Sequence, residues 1–182
     1  MFLPRKGLTM HDTIVSKKGF TLVEIIVVMV LVGIMGTLAL MGIMPVVQGM
    51  LFTKTNADTL QKGQITMTKL VREFNNINSV VAGSGPASIT FTSIKNGNEG
   101  TRSVMFSGNK IYYNDAGGTQ GDILTDQVSD FKLHYYKINS TVDQGTWMSS
   151  SRIIEIELTL KGADSVESKF MVRVRPRNIE RR

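Results

Sequence analysis

The chain of 182 residues contains no cysteine, two histidines, one tryptophan and four prolines. Without cysteine there is no disulfide clamp, no thiolate metal site and no thiol nucleophile. Only His11 and His134 could act as imidazole bases or ligands, and His11 lies near the N-terminus. Histidine triads and most transition-metal centres therefore lack their residues. The glycine-rich stretches are not followed by the lysine and helix pattern of a phosphate loop. No catalytic constellation rises above background, so the expectation is a protein that is not an enzyme and carries no cofactor.

Charge is missing from one place in particular. Residues 25–44 form an apolar run without a single ionised side chain, although the whole chain has a formal charge of +6. About 20 apolar residues in a helix cross about 30 Å of hydrocarbon. Lys17 and Lys18 precede this run, and Glu24 stands at its threshold. A carboxylate within hydrocarbon costs on the order of 2.5 to 3.5 kcal/mol on insertion scales, so Glu24 needs a partner.

Residues 17–24, Lys-Lys-Gly-Phe-Thr-Leu-Val-Glu, resemble the processing site of the type IV pilin family, which includes the pseudopilins of type II secretion systems. The resemblance implies that a prepilin peptidase and N-methyltransferase recognises Lys17, Lys18, Gly19 and Phe20. It would cut between Gly19 and Phe20 and methylate the new N-terminus at Phe20. Glu24, the fifth mature residue, would face the N-terminal amine of a neighbouring subunit during filament assembly. Physical chemistry supports the same pairing. A free α-amine has a reference pKa of about 8 and is mostly protonated at neutral pH, so the cut would create a cation beside the apolar segment. Desolvation offsets much of the attraction between two such charges. The pair therefore specifies axial register more than it adds stability.

Arg5, Lys6, Lys17 and Lys18 outnumber Asp12 ahead of the span, which keeps the N-terminus cytoplasmic by the positive-inside rule. The expected location is an inner membrane, crossed once, with a periplasmic head, followed by an extracytoplasmic filament. Loss of residues 1–19 would leave 17 basic against 14 acidic residues, or +3. So mild an excess gives little support to nucleic acid as a partner. The partners expected are the peptidase, other pilin or pseudopilin subunits through the N-terminal helix, an inner-membrane assembly platform and membrane lipid. An ordinary signal anchor holding an extracytoplasmic binding domain, neither cleaved nor assembled, is the alternative, and it leaves Glu24 unexplained.

The expected organisation is a leader over 1–19, a transmembrane or filament-core helix over 20–50, its amphipathic continuation over 51–79, and a β-rich head over 80–182. Gly33, Gly36, Gly42 and Gly49 permit close helix approach, and Pro45 weakens the helix locally. Pro45 stands four residues beyond the family's commonest proline position, which leaves the exact bend open. Leu60, Met67, Leu70, Val71, Phe74 and Ile77 recur at helical spacing and predict one apolar stripe, with Lys54, Asp58, Lys69, Arg72 and Glu73 on the other faces. The predicted helix runs over 20–78, and 80–86 reads as a break.

Strands are expected over 88–94, 103–106, 110–114 and 128–137, and most plainly over 152–161, where apolar and polar residues alternate. A partner over 169–175 would close a hairpin. These elements predict an α+β fold: a long helix with an antiparallel sheet of about four to six strands on its second half. That agrees with the ladle-like architecture the resemblance implies. The order of the later segments also resembles PilW-like minor pilins and J-type minor pseudopilins, which implies a low-abundance subunit that initiates or caps a filament. Major pseudopilins bind calcium in their heads, and Asp115, Asp122 and Asp126, with Asp130 beyond them, are weak oxygen-ligand candidates. No dense Asp-x-Asp pattern supports them, so no metal is expected. Trp147 is expected to anchor its loop by packing. Arg173, Arg175, Arg177, Arg181 and Arg182 make a basic C-terminal edge that resists stray strand pairing.

Overall fold

The helix predicted from the apolar run and stripe forms α1, Leu22–Asn75, in a computed structural model that describes residues 19–95, 97–115 and 121–179. The chain divides into two compact units, Met1–Val47 and Gln48–Arg182. In the first, every described residue is exposed. Gly33, Gly36 and Gly42 have nothing within 4 Å of where a side chain would begin. The Thr37 hydroxyl donates to Ile34 O at 2.8 Å, which satisfies a polar group within an apolar helix by local means. Pro45 lies inside α1.

Among the described residues, eight antiparallel strands build the second unit: β1 Ile77–Val80, β2 Ser88–Lys95, β3 Asn98–Ser107, β4 Lys110–Asn114, β5 Asp122–Thr125, β6 Val128–Tyr136, β7 Ile153–Lys161 and β8 Glu167–Val174. They make two sheets, ordered β1-β2-β3-β4-β5 and β6-β7-β8, rather than the one sheet expected. Short turns set the first as a meander. Gly97 and Gly108 adopt φ of 81° and 65°, which L side chains rarely tolerate, and each sits between paired strand ends.

Met67, Leu70 and Phe74 from α1 enter one apolar core with Ile89, Phe91, Val104 and Ile111 of the first sheet and Phe131, Leu133, Ile154, Ile156 and Leu158 of the second. Phe74 meets Phe91 edge to face at 5.6 Å. Burial of each such side chain contributes about 1.5 to 3 kcal/mol. Thr59, Gly63 and Thr66 complete the buried face of α1, while Leu60 remains 45% exposed. At Gly63 the Phe170 ring of β8 comes so close that a methyl group there would overlap it.

Four local expectations need correction. The helix ends at Asn75, so Ile77 is buried from β1 rather than from the helical stripe. Between the strands predicted over 110–114 and 128–137 lies a further one, β5, and β3 and β8 begin earlier than predicted. Glu73 is buried rather than solvated, because the Tyr113 hydroxyl of β4 donates to it at 3.0 Å. On β7 the polar face is covered as well: Glu155 and Thr159 are buried, since β7 lies between two neighbours whose long side chains fold over it.

Candidate processing and assembly site

The helix starts at Thr21. Its Oγ1 accepts the Glu24 backbone N–H at 3.3 Å and its carbonyl accepts from Ile25 N at 3.3 Å, which places Thr21 at the N-cap and Glu24 three positions in. Thr21-Leu22-Val23-Glu24 is thus a capping pattern in which a hydroxyl satisfies one of the first unpaired helix donors. That role was readable from the Thr-x-x-Glu spacing and was missed beside the stronger reading of Glu24 as an assembly residue. An acidic group in the first turn also meets the positive end of the helix dipole.

Gly19 and Phe20 precede α1, so the bond between them lies outside regular structure, and Phe20 is 78% exposed. One helical turn brings Glu24 back beside Phe20. The two line an open, apolar concavity of about 320 Å³ with Ile25, Val28 and Met29. Lys17 and Lys18 fall outside the described residues, as do His11, Arg181 and Arg182.

Three of the four carboxylates weighed as calcium ligands have other partners. Asp115 accepts from Lys95 Nζ at 3.0 Å and Arg102 Nε at 3.0 Å, and Asp126 from Lys62 Nζ at 2.8 Å. The Lys95 ammonium, with Arg102 behind it, holds the Asp115 carboxyl below the usual carboxylate range. Lys62 does the same for Asp126. Asp130 pairs with Lys132 at 2.7 Å, and Asp122 opens β5. Among the described residues no three acidic or histidine side chains gather as a metal would need. The Arg102 guanidinium is itself buried, bonded to Ser93 as well as to Asp115. Tyr113 OH lies 3.0 Å from both Asp115 Oδ1 and Glu73 Oε2, and burial with those two carboxylates drives its pKa up. The cluster ties α1 to the first sheet.

His134 is half-buried, with Nδ1 2.7 Å from Asp143 Oδ2 and Nε2 3.7 Å from Glu157. Burial pushes the Asp143 carboxyl up, but hydrogen bonds with His134, Gly145 N and Tyr135 N outweigh it and hold it low. Trp147 packs edge to face on Tyr135 at 5.8 Å, as a lone large aromatic requires. Arg173 pairs with Glu155 and lies 5.0 Å from the Tyr136 ring.

These features define an α+β chain with, among the described residues, one helix long and apolar enough to cross a membrane. Over residues 15–40 it matches the prokaryotic N-terminal methylation motif, which is typical of type IV pilins and pseudopilins. No curated protein and no solved structure matches the chain.

Proposed function

We propose that the chain is a prepilin, cut between Gly19 and Phe20, methylated at Phe20 and built into a filament as a structural subunit. The observation that carries this reading is the register of the methylation motif on the helix. The motif covers residues 15–40, and α1 begins two residues beyond the Gly19–Phe20 bond. A peptidase therefore meets an exposed bond outside regular structure, with Lys17 and Lys18 before it in the sequence and an apolar helix after it.

Cutting there leaves the α-amine of Phe20 and the Glu24 side chain at one concave apolar surface. Within one chain Glu24 can stabilise its own helix start. Between chains, the carboxylate of one subunit and the amine of the next penalise any axial slip, because a slipped subunit leaves two charges unpaired in an apolar setting. The glycines of α1 leave room for neighbouring helices. The single span holds the subunit in the inner membrane, among lipid and against an assembly platform, until it joins the filament. The head fits a minor subunit of a type IV pilus or of a type II secretion pseudopilus, in the PilW-like or J-type manner.

Glu24→Gln tests the assembly half of this proposal. Filaments sheared from cells are expected to lack the variant while membranes retain it at normal level. Equal incorporation of the variant and the native chain would overturn the role of Glu24.

A further inference from the structure

The two edges of the three-stranded sheet are treated differently. Along the outer side of β6, Leu133 N donates to Pro86 O at 2.8 Å, Tyr135 N to Asp143 Oδ1 at 3.0 Å, and Gln144 N to Tyr135 O at 2.9 Å. That edge is closed by loops. Along the outer side of β8, no described segment pairs with the strand, and Met171 is 56% exposed. Beside it runs a groove of about 720 Å³ between Met67, Thr68 and Val71 of α1 and Phe170 and Val172 of β8. A strand edge of eight residues with unused donors and acceptors is a template for another strand.

We infer that this edge pairs with the β8 edge of a second copy of the chain, antiparallel and centred on Phe170. The charge pattern of β8 selects that register. With Phe170 opposite Phe170, Glu167 of each chain faces Arg173 of the other, Lys169 faces Met171, Ser168 faces Val172, and Val166 faces Val174. A slip that puts Met171 opposite itself sets Lys169 against Arg173. The opposite slip sets Lys169 against Lys169. Parallel pairing in register sets every like charge together. Directly opposed like charges destabilise a sheet, and opposite charges and apolar pairs stabilise it.

The existing registers extend the pattern. Glu155 lies opposite Arg173, and Lys161 opposite Glu167. Pairing through Phe170 therefore joins Glu155 and Arg173 of one chain to Glu167 and Lys161 of the other in one row of alternating sign, repeated by the two-fold axis. On the other face the two Phe170 rings and Val172 of each chain lie beside the groove of α1. The contact is isologous, so it closes as a dimer and consumes the open edge. It does not depend on processing at Gly19.

The absence of cysteine makes the test clean. Differently tagged full-length chains carrying Lys169→Cys and Met171→Cys are produced together in membranes and mildly oxidised. Directly opposed strand residues have Cα atoms roughly 4.5 to 5.5 Å apart, within disulfide reach, whereas the diagonal neighbours are about 7 to 8 Å apart and largely beyond it. A mixed-tag dimer is expected in the mixture at several times the yield of either variant alone or of Ile123→Cys on the exposed β5 edge. Adding Glu167→Lys to both chains should reduce that yield several-fold, with only the small fall in the head's thermal midpoint expected of a lysine set opposite Lys161. Equal yields in mixture and single variants, cross-links to a different protein instead, or indifference to Glu167→Lys would overturn the pairing.

Discussion

Residues 19–50 and the strands beyond them use apolar side chains in opposite ways. In the first stretch every residue is exposed, including Leu31 at 54% and Met41 at 75%. In the second, Leu133, Ile156 and Leu158 are fully enclosed. Water would charge the first arrangement heavily in free energy, since each exposed aliphatic side chain forgoes about 1.5 to 3 kcal/mol. The apolar stretch of the helix is thus suited to apolar surroundings, such as the membrane and filament proposed above, whereas the head is stabilised by its own core.

Substitutions in the core should break this contrast most strongly. Leu158→Ala is expected to cost about 2 to 5 kcal/mol of head stability, read as a large fall in thermal midpoint. Leu31→Ala, equally apolar, should leave that midpoint where it was. A comparable fall from both would mean that the first segment packs into the head after all.

Glycines sharpen the same contrast with a smaller effect. Gly63→Val forces atoms into the space of the Phe170 ring and should destabilise the head by about 1 to 3 kcal/mol. Gly36→Val meets nothing in the chain, so its effect should appear in assembly and not in head unfolding.

Acid should act on the head through Asp115 and Asp126. Their carboxyls are held below the ordinary value of 3.8 when folded. Unfolding releases them to that value, so the folded state gains stability above it and loses that gain as pH falls through the lowered folded values. The contribution of these groups to head stability should be complete and constant between about pH 7 and 5 and should be lost as the pH falls below about 4. Asp115→Asn with Asp126→Asn should flatten that fall in unfolding measured against pH.

The smallest effect belongs to Thr21→Ala. Loss of the cap should cost about 1 kcal/mol locally, seen as faster amide exchange in the first turn of α1 with head unfolding unchanged. Glu24→Gln keeps the backbone N–H that Thr21 accepts. It should keep the cap and give up only the charge–dipole attraction, about 0.3 to 1 kcal/mol, which separates the structural role of this turn from the role of the charge.

Strong periodicity made the β7 hairpin and most of the helical stripe legible, because alternation over nine residues has few competing explanations. Short elements were not. Four residues of β1 and four of β5 carry too little pattern to register, and Ile77 happened to continue the helical spacing into a strand. Gly63 and the two threonines looked neutral, since a helix face that receives an aromatic ring needs small residues rather than apolar ones. Buried Glu73 and half-buried His134 depend on Tyr113 and Asp143, each distant in sequence or lying in a loop. The methylation motif was the most legible part, because it is local: basic pair, glycine, aromatic, glutamate and apolar run lie within one continuous stretch.

Intact mass with N-terminal sequencing, on protein from membranes with and without an active prepilin peptidase, tests the central claim directly. The account predicts a chain beginning at methylated Phe20 only where the peptidase is active. Retention of residues 1–19 in both samples would contradict it and leave a signal-anchored binding domain.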